Sequence, residues 1–176
     1  FNKFFMTRFV TTIYPIVYFP KQEKGITDPV GNVMVLCHEY VHLRDRKKLG
    51  WLFNILYLSP QIFALLALLA IPFSWNWLFC LLFLLPIPSP FRAYFEYRAY
   101  KISIAISYLL LDRIPPLEYY VMQFTTSNYY WMFPFEKFLT RKFTEHARKL
   151  KKKDFDELTI ELKNVLFPDK LWKNKY

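Results

Sequence analysis

Apolar positions crowd the middle of the chain, and polar ones mark its two flanks. Between Leu49 and Phe91 not one residue carries a charge. Within that span lie two uninterrupted apolar runs, IFALLALLAIPF (62–73) and WLFCLLFLLPIP (77–88). Each is shorter than the ~20 residues of a membrane-spanning helix. Counting back over WLFNILYLSPQ (51–61) brings the first to spanning length, whereas Pro86, Pro88 and Pro90 keep the second short. The pattern predicts an apolar helical hairpin over 51–88, with Trp75 and Trp77 in its turn. Arg44 to Lys48 precede it, and Arg92, Arg98 and Lys101 follow it. Three placements fit: two spanning helices with both ends on the positive-inside face, a re-entrant wedge, or a hairpin buried in a soluble or oligomeric core.

Outside the hairpin the periodicity is mostly helical. TTIYPIVYF (11–19) is the exception. Its β-branched and aromatic residues predict a strand, and Pro15 restricts it to a sheet edge or hairpin. Asp28-Pro29 reads as an N-cap followed by proline in the first turn, opening a helix to about Lys48, with Gly50 as its stop. SPFRAYFEYRAYKISIAISYLLLDR (89–113) predicts one long helix ended by Pro115 and Pro116. LEYYVMQF (117–124) suggests a short helix, and 125–134 a loop mixing hydroxyls, an amide and aromatics. Phe138, Leu139, Phe143, Ala147 and Leu150 recur at helical spacing, ending in the basic RKLKKK (148–153). A last helix is expected from Asp154 as N-cap, with Glu157 at capping-box spacing. The fold class is mainly α, in a single domain over 1–176 that ends in basic helices over 135–176.

Composition sharpens this picture. Apolar residues make up 54% and aromatics 21% of the 176 residues, more than a soluble domain normally holds. The excess belongs in a large core, a bilayer or a partner. The net charge of +10 directs any membrane contact toward an anionic, cytoplasm-like leaflet. It would also suit nucleic acid, but no nucleic-acid motif accompanies it. Cys37 and Cys80 form no disulfide framework. FVTTIYPIVYFP (9–20) is broken by Pro15 and followed by no cleavage signal, so it does not read as a signal peptide.

The chemistry concentrates in HEYVH (38–42). His38 and His42 stand one helical turn apart, so their imidazoles point the same way and can share one metal ion. Glu39 lies about 100° round the helix, at the rim, where it can take a proton from metal-bound water. By background frequencies the pattern arises in about one chain of this length in a few hundred. The alternative is two buried histidines satisfied by backbone or water. Between His42 and the Pro115-Pro116 stop, the acidic residues are Asp45, Glu96 and Asp112. Asp45 is nearly two turns beyond His38 and is assigned a supporting or capping role. Glu96 sits mid-helix among Phe95, Tyr97, Ala99 and Tyr100, where a carboxylate needs a strong partner. A metal would supply one; so would an ion pair with Arg92 or Lys101.

HEYVH, an apolar hairpin and then EYRAY (96–100) together resemble the gluzincin zinc metallopeptidases, most closely their membrane-embedded branch of the HtpX type. There, H-E-x-x-H is followed, after transmembrane helices, by E-x-x-A-D. The resemblance covers about residues 28–112. It implies a minigluzincin-like helical core, zinc held by His38, His42 and Glu96, and Glu39 as general base. Ala99 matches the family's alanine. Tyr100 replaces its aspartate, which supports a zinc-bound histidine; Asp45 or Tyr100 itself is the substitute here. For an oxyanion-stabilising group, His146, Tyr129 and Tyr130 are the candidates, each against a plain packing role.

The first expectation is a zinc-dependent endopeptidase at a membrane surface, acting on a peptide or protein that adds a strand to the 11–19 edge. The second is a structural or assembly protein on a gluzincin-like scaffold, with a structural zinc and protein partners. The third is a metal-free membrane anchor. Localisation follows accordingly: membrane-associated through 51–88 with the basic face cytoplasmic, or buried in a protein assembly.

Overall fold

The computed structural model describes residues 11–19, 28–127 and 130–168. It is mainly helical, as the periodicity predicts. Helices α1 (Pro29–Leu49), α2 (Trp51–Leu58), α3 (Pro90–Leu111), α4 (Leu117–Thr125), α5 (Glu136–Lys151) and α6 (Glu157–Leu166) form the body. Two 3₁₀ helices, a first arm over Gln61–Ala70 and a second over Trp75–Leu84, form the apolar hairpin. Strands β1 (Thr11–Ile13) and β2 (Ile16–Tyr18) pair antiparallel, with Ile13 opposite Ile16. The expected strand over 11–19 is therefore folded back on itself at Tyr14-Pro15, where proline has no N–H to give a ladder.

Helix α3 is the axis of the body. One side packs against α1 and α6 through Cys37, Val41, Ala99, Ile102, Ile106 and Leu162. The other side packs against α4 and α5 in a cluster that includes Tyr100, Ile104, Phe124, Phe143 and Leu150. Burial on both sides explains why α3 is apolar nearly all round from Ile102 onward. Its C-terminus is capped by Asp112 in the left-handed region at φ 50°, a conformation that Asp adopts more readily than most residues.

Helix α1 begins as the sequence indicates. Asp28 accepts from the Val30 amide at 3.1 Å, and Pro29 occupies the first turn. Arg46, Lys47 and Lys48 fill the last turn, where the helix dipole favours cations. Gly50, at φ 60°, turns the chain into α2.

Two boundaries differ from expectation. The chain bends by 90° between α2 and the first arm, so 51–73 is not one helix, and among the described residues no single helix is long and apolar enough to cross a membrane. The break falls at Ser59-Pro60, where proline's missing N–H and ring stop the α-helical ladder. The last helix is capped by Asp156, not Asp154. Asp156 accepts from the Thr159 amide at 2.9 Å and also from its hydroxyl, and it pairs with Lys101 at 3.0 Å. The tertiary partner on α3 selects the later aspartate.

Candidate metal centre

Helices α1 and α3 lie side by side and face each other with chemistry. The buried stripe of α1 runs through Cys37, His38, Val41, His42 and Asp45. Opposite it, α3 presents Glu96, Tyr100 and Ser103 at positions i, i+4 and i+7 of one face. The two imidazole Nε2 atoms are 3.2 Å apart. His38 Nε2 is 3.3 Å from Glu96 Oε2, and His42 Nε2 is 3.6 Å from Glu96 Oε1. These three ligand atoms all lie within 4.8 Å of one another, and all three residues are buried.

The spacing fits a tetrahedral ion. Zinc binds imidazole and carboxylate at about 2.0–2.1 Å, so neighbouring ligand atoms of a tetrahedron stand about 3.3 Å apart. The histidine–histidine distance of 3.2 Å is close to that value, and each imidazole has a different Glu96 oxygen at 3.3 or 3.6 Å. Two further features fit. Glu96 is 1% exposed, and its Oε2 makes no hydrogen bond of good geometry among the described residues. A buried carboxylate oxygen left this way calls for a partner at the point where the imidazoles converge. The donor set of two imidazoles and one carboxylate is one that can hold a metal ion.

Electrostatics favour the ionised carboxylate at Glu96 and the protonated ring at His42, which must lose that proton to hold a metal. Burial pushes the Glu96 carboxyl upward, but hydrogen bonds and charge from His38 and His42 outweigh it and hold the group below the ordinary carboxylate range. Burial lowers His42, yet Glu96, Glu39 and Asp45 raise it further, for a net upward shift. Glu39 itself is half-buried, and its charge acts on His42.

The supporting residues divide unevenly between expectation and structure. Tyr100 packs its ring edge-on against His38, with centroids 4.6 Å apart. Asp45 is 2% exposed and its Oδ1 accepts from the Arg98 guanidinium at 2.7 Å, so the negative charge acting on His42 is anchored from α3. Two contributors escape the sequence reading. The Ser103 hydroxyl lies 3.5 Å from His38 Nδ1, at the outer limit of a hydrogen bond. Tyr57 donates its hydroxyl to Glu96 Oε1 and sets its ring edge-on to His42 at 5.8 Å. Helical spacing from Glu96 could have found Ser103. Tyr57 was hidden because 51–61 read as part of a spanning helix.

The three oxyanion candidates fare differently. His146 is buried on α5, and its Nε2–H donates to the Lys101 carbonyl at 3.0 Å. Lys101 is five residues past Glu96, about 140° around α3, so His146 is engaged on another face. Burial, helped by the nearby Lys101 charge, pushes its pKa down to about 4 and leaves the ring neutral. Tyr130 donates its hydroxyl to the Leu84 carbonyl at the hairpin root. Both donors are thus committed to backbone, where their energetic return is structural. Tyr129 lies outside the described residues.

No family model, curated protein or solved structure matches the chain. Function is therefore argued from the centre itself.

Proposed function

We propose that the chain is a zinc-dependent peptidase working at or in a membrane, with a gluzincin-like ligand set of His38, His42 and Glu96. The supporting observation is the convergence of those three buried side chains, with one ligand atom from each within 4.8 Å of the others. A bound zinc would supply Lewis acidity and lower the pKa of a water molecule. This chain's residues do the rest. Glu39, next to His38 on the rim, accepts the proton of the attacking water and passes it to the leaving amine. Tyr57 and Ser103 fix the orientation of Glu96 and His38, so the ligands meet the cation without reorganisation. Asp45, locked by Arg98, favours charge on the His42 side.

The deciding experiment is metal analysis of the purified chain beside two variants. One zinc per chain, lost in Glu96→Ala and retained in Glu39→Gln, establishes the ligand set. Peptide cleavage that vanishes in Glu39→Gln while zinc stays bound establishes the chemistry. Unchanged cleavage in that variant refutes the assignment of the base.

One observation favours a second reading. His38 and His42 are each under a tenth exposed, and Tyr57 closes over Glu96. A site this enclosed also suits a structural zinc that pins α1 to α3 in an assembly protein. In that case Glu39→Gln leaves every function intact, and only zinc removal has an effect.

A further inference from the structure

The apolar hairpin is the feature that the metal centre does not use. Its arms pack chiefly on each other; the first arm meets α2, and the end of the second accepts the Tyr130 hydroxyl at Leu84 O. Along the first arm Ala64, Ala67 and Ala70 are buried at every third position. A 3₁₀ helix has three residues per turn, so this is a single small-residue stripe on which the second arm lies. Phe63 and Phe83 close the pair, with ring centroids 5.6 Å apart. Most of the other arm residues are exposed, with Ile62, Leu69 and Cys80 half-buried. Ile71 is 89% exposed, Trp75 79% and Phe73 75%, all at the tip.

The root is fixed. The Ser89 hydroxyl donates to the Ser59 carbonyl, and the Ser89 amide donates to Met132 O at 2.7 Å. The tip therefore projects from the body as a preformed apolar prong.

Length, charge and tip chemistry select its occupant. Ten residues at about 2.0 Å per residue make each arm about 20 Å long, enough to reach the middle of a ~30 Å hydrocarbon core but not its far side. A spanning hairpin places its turn in water, whereas this turn carries no charged residue. Its Ser74 side chain is spent accepting the Asn76 amide. In sequence, cations flank the prong on both sides: exposed Lys47 and Lys48 before α2, and half-buried Arg92 just past Ser89. A second copy of this chain, itself at +10, would be repelled there.

We propose that the hairpin over 61–85 inserts into one leaflet of a bilayer, with its tip near the midplane and its basic root against anionic headgroups. This deepens the membrane part of the functional reading and is independent of the peptidase part.

The test uses the full chain with Cys37→Ala, Cys80→Ser and Ser74→Cys, mixed with vesicles of phosphatidylcholine with or without phosphatidylserine. Flotation with the anionic vesicles, weaker without phosphatidylserine, is expected. The new thiol should then resist a membrane-impermeant maleimide from outside and from within, and react only in detergent. Ile71→Asp and Trp75→Asp should each lower partition about a hundredfold, since a charge near the bilayer centre is disfavoured by that order, while helicity and zinc content stay unchanged. Labelling from the vesicle interior means that the hairpin spans and overturns the proposal. So do equal flotation on both lipids, Asp variants that partition normally, and a chain that stays with protein partners or copies of itself instead of floating. Glu39→Gln should behave as wild type throughout, so failure of the peptidase reading leaves this result untouched.

Discussion

At the residue scale the weight falls on Glu96, a carboxylate that burial disfavours and that two imidazoles keep ionised. Removing it leaves His38 and His42 facing each other at 3.2 Å with no anion between them. Glu96→Ala should abolish stoichiometric zinc, measured by metal analysis after dialysis. Tyr57→Phe deletes only the hydroxyl on Glu96 Oε1. Partners of metal ligands typically contribute 10–100-fold in affinity, so zinc affinity should fall by about tenfold or more in competition with a chromophoric chelator, with the fold unchanged. His146 gives a pH prediction. Its folded pKa of about 4 is below the ordinary 6.5, so the unfolded chain binds more protons between those values. Its contribution is whole above pH 6.5 and is lost as pH falls toward 4, up to about 3 kcal/mol. Urea unfolding across that window should show stability declining with acid, and His146→Gln should flatten the decline.

At the element scale the caps and breaks decide where helices begin and how they lie. Asp28, Gly50 and the Pro115-Pro116 stop were legible because each acts on its own neighbours. The start of α6 was not. Asp154 and Asp156 both precede a helical pattern, and local sequence favours the first through its spacing to Glu157. Lys101 on α3 decides for Asp156. Asp156→Ala should therefore lower stability by about 1–2 kcal/mol, while Asp154→Ala should change it by less than about 0.5 kcal/mol; chemical denaturation of both variants checks the contrast. The bend at Ser59-Pro60 has the same lesson in reverse. The proline was visible, but a continuous apolar stretch outweighed it in the reading. That bend ends α2 early and leaves Tyr57 over the centre.

At the scale of the whole molecule, α3 joins two cores, and a cation would join α1 to α3 where His38 and His42 face Glu96. Anything that binds the folded chain alone stabilises it by mass action. Stripping zinc with a chelator should lower the melting temperature by several degrees, and added zinc should restore it; at a thousandfold excess over the dissociation constant the linkage is worth about 4 kcal/mol. Glu96→Ala should melt at the same temperature with or without chelator. The sequence by itself marked most of the helices, the apolar hairpin and the three candidate ligands, because helical periodicity and i, i+4 spacing are short-range and written in the order of residues. Only the tertiary structure decided that Glu96 meets His38 and His42, that Ser103 and Tyr57 support them, and that His146 and Tyr130 serve the backbone instead. Those outcomes depend on how α2, α3 and α5 pack around α1, and contacts between side chains tens of residues apart are set by the packing of whole helices.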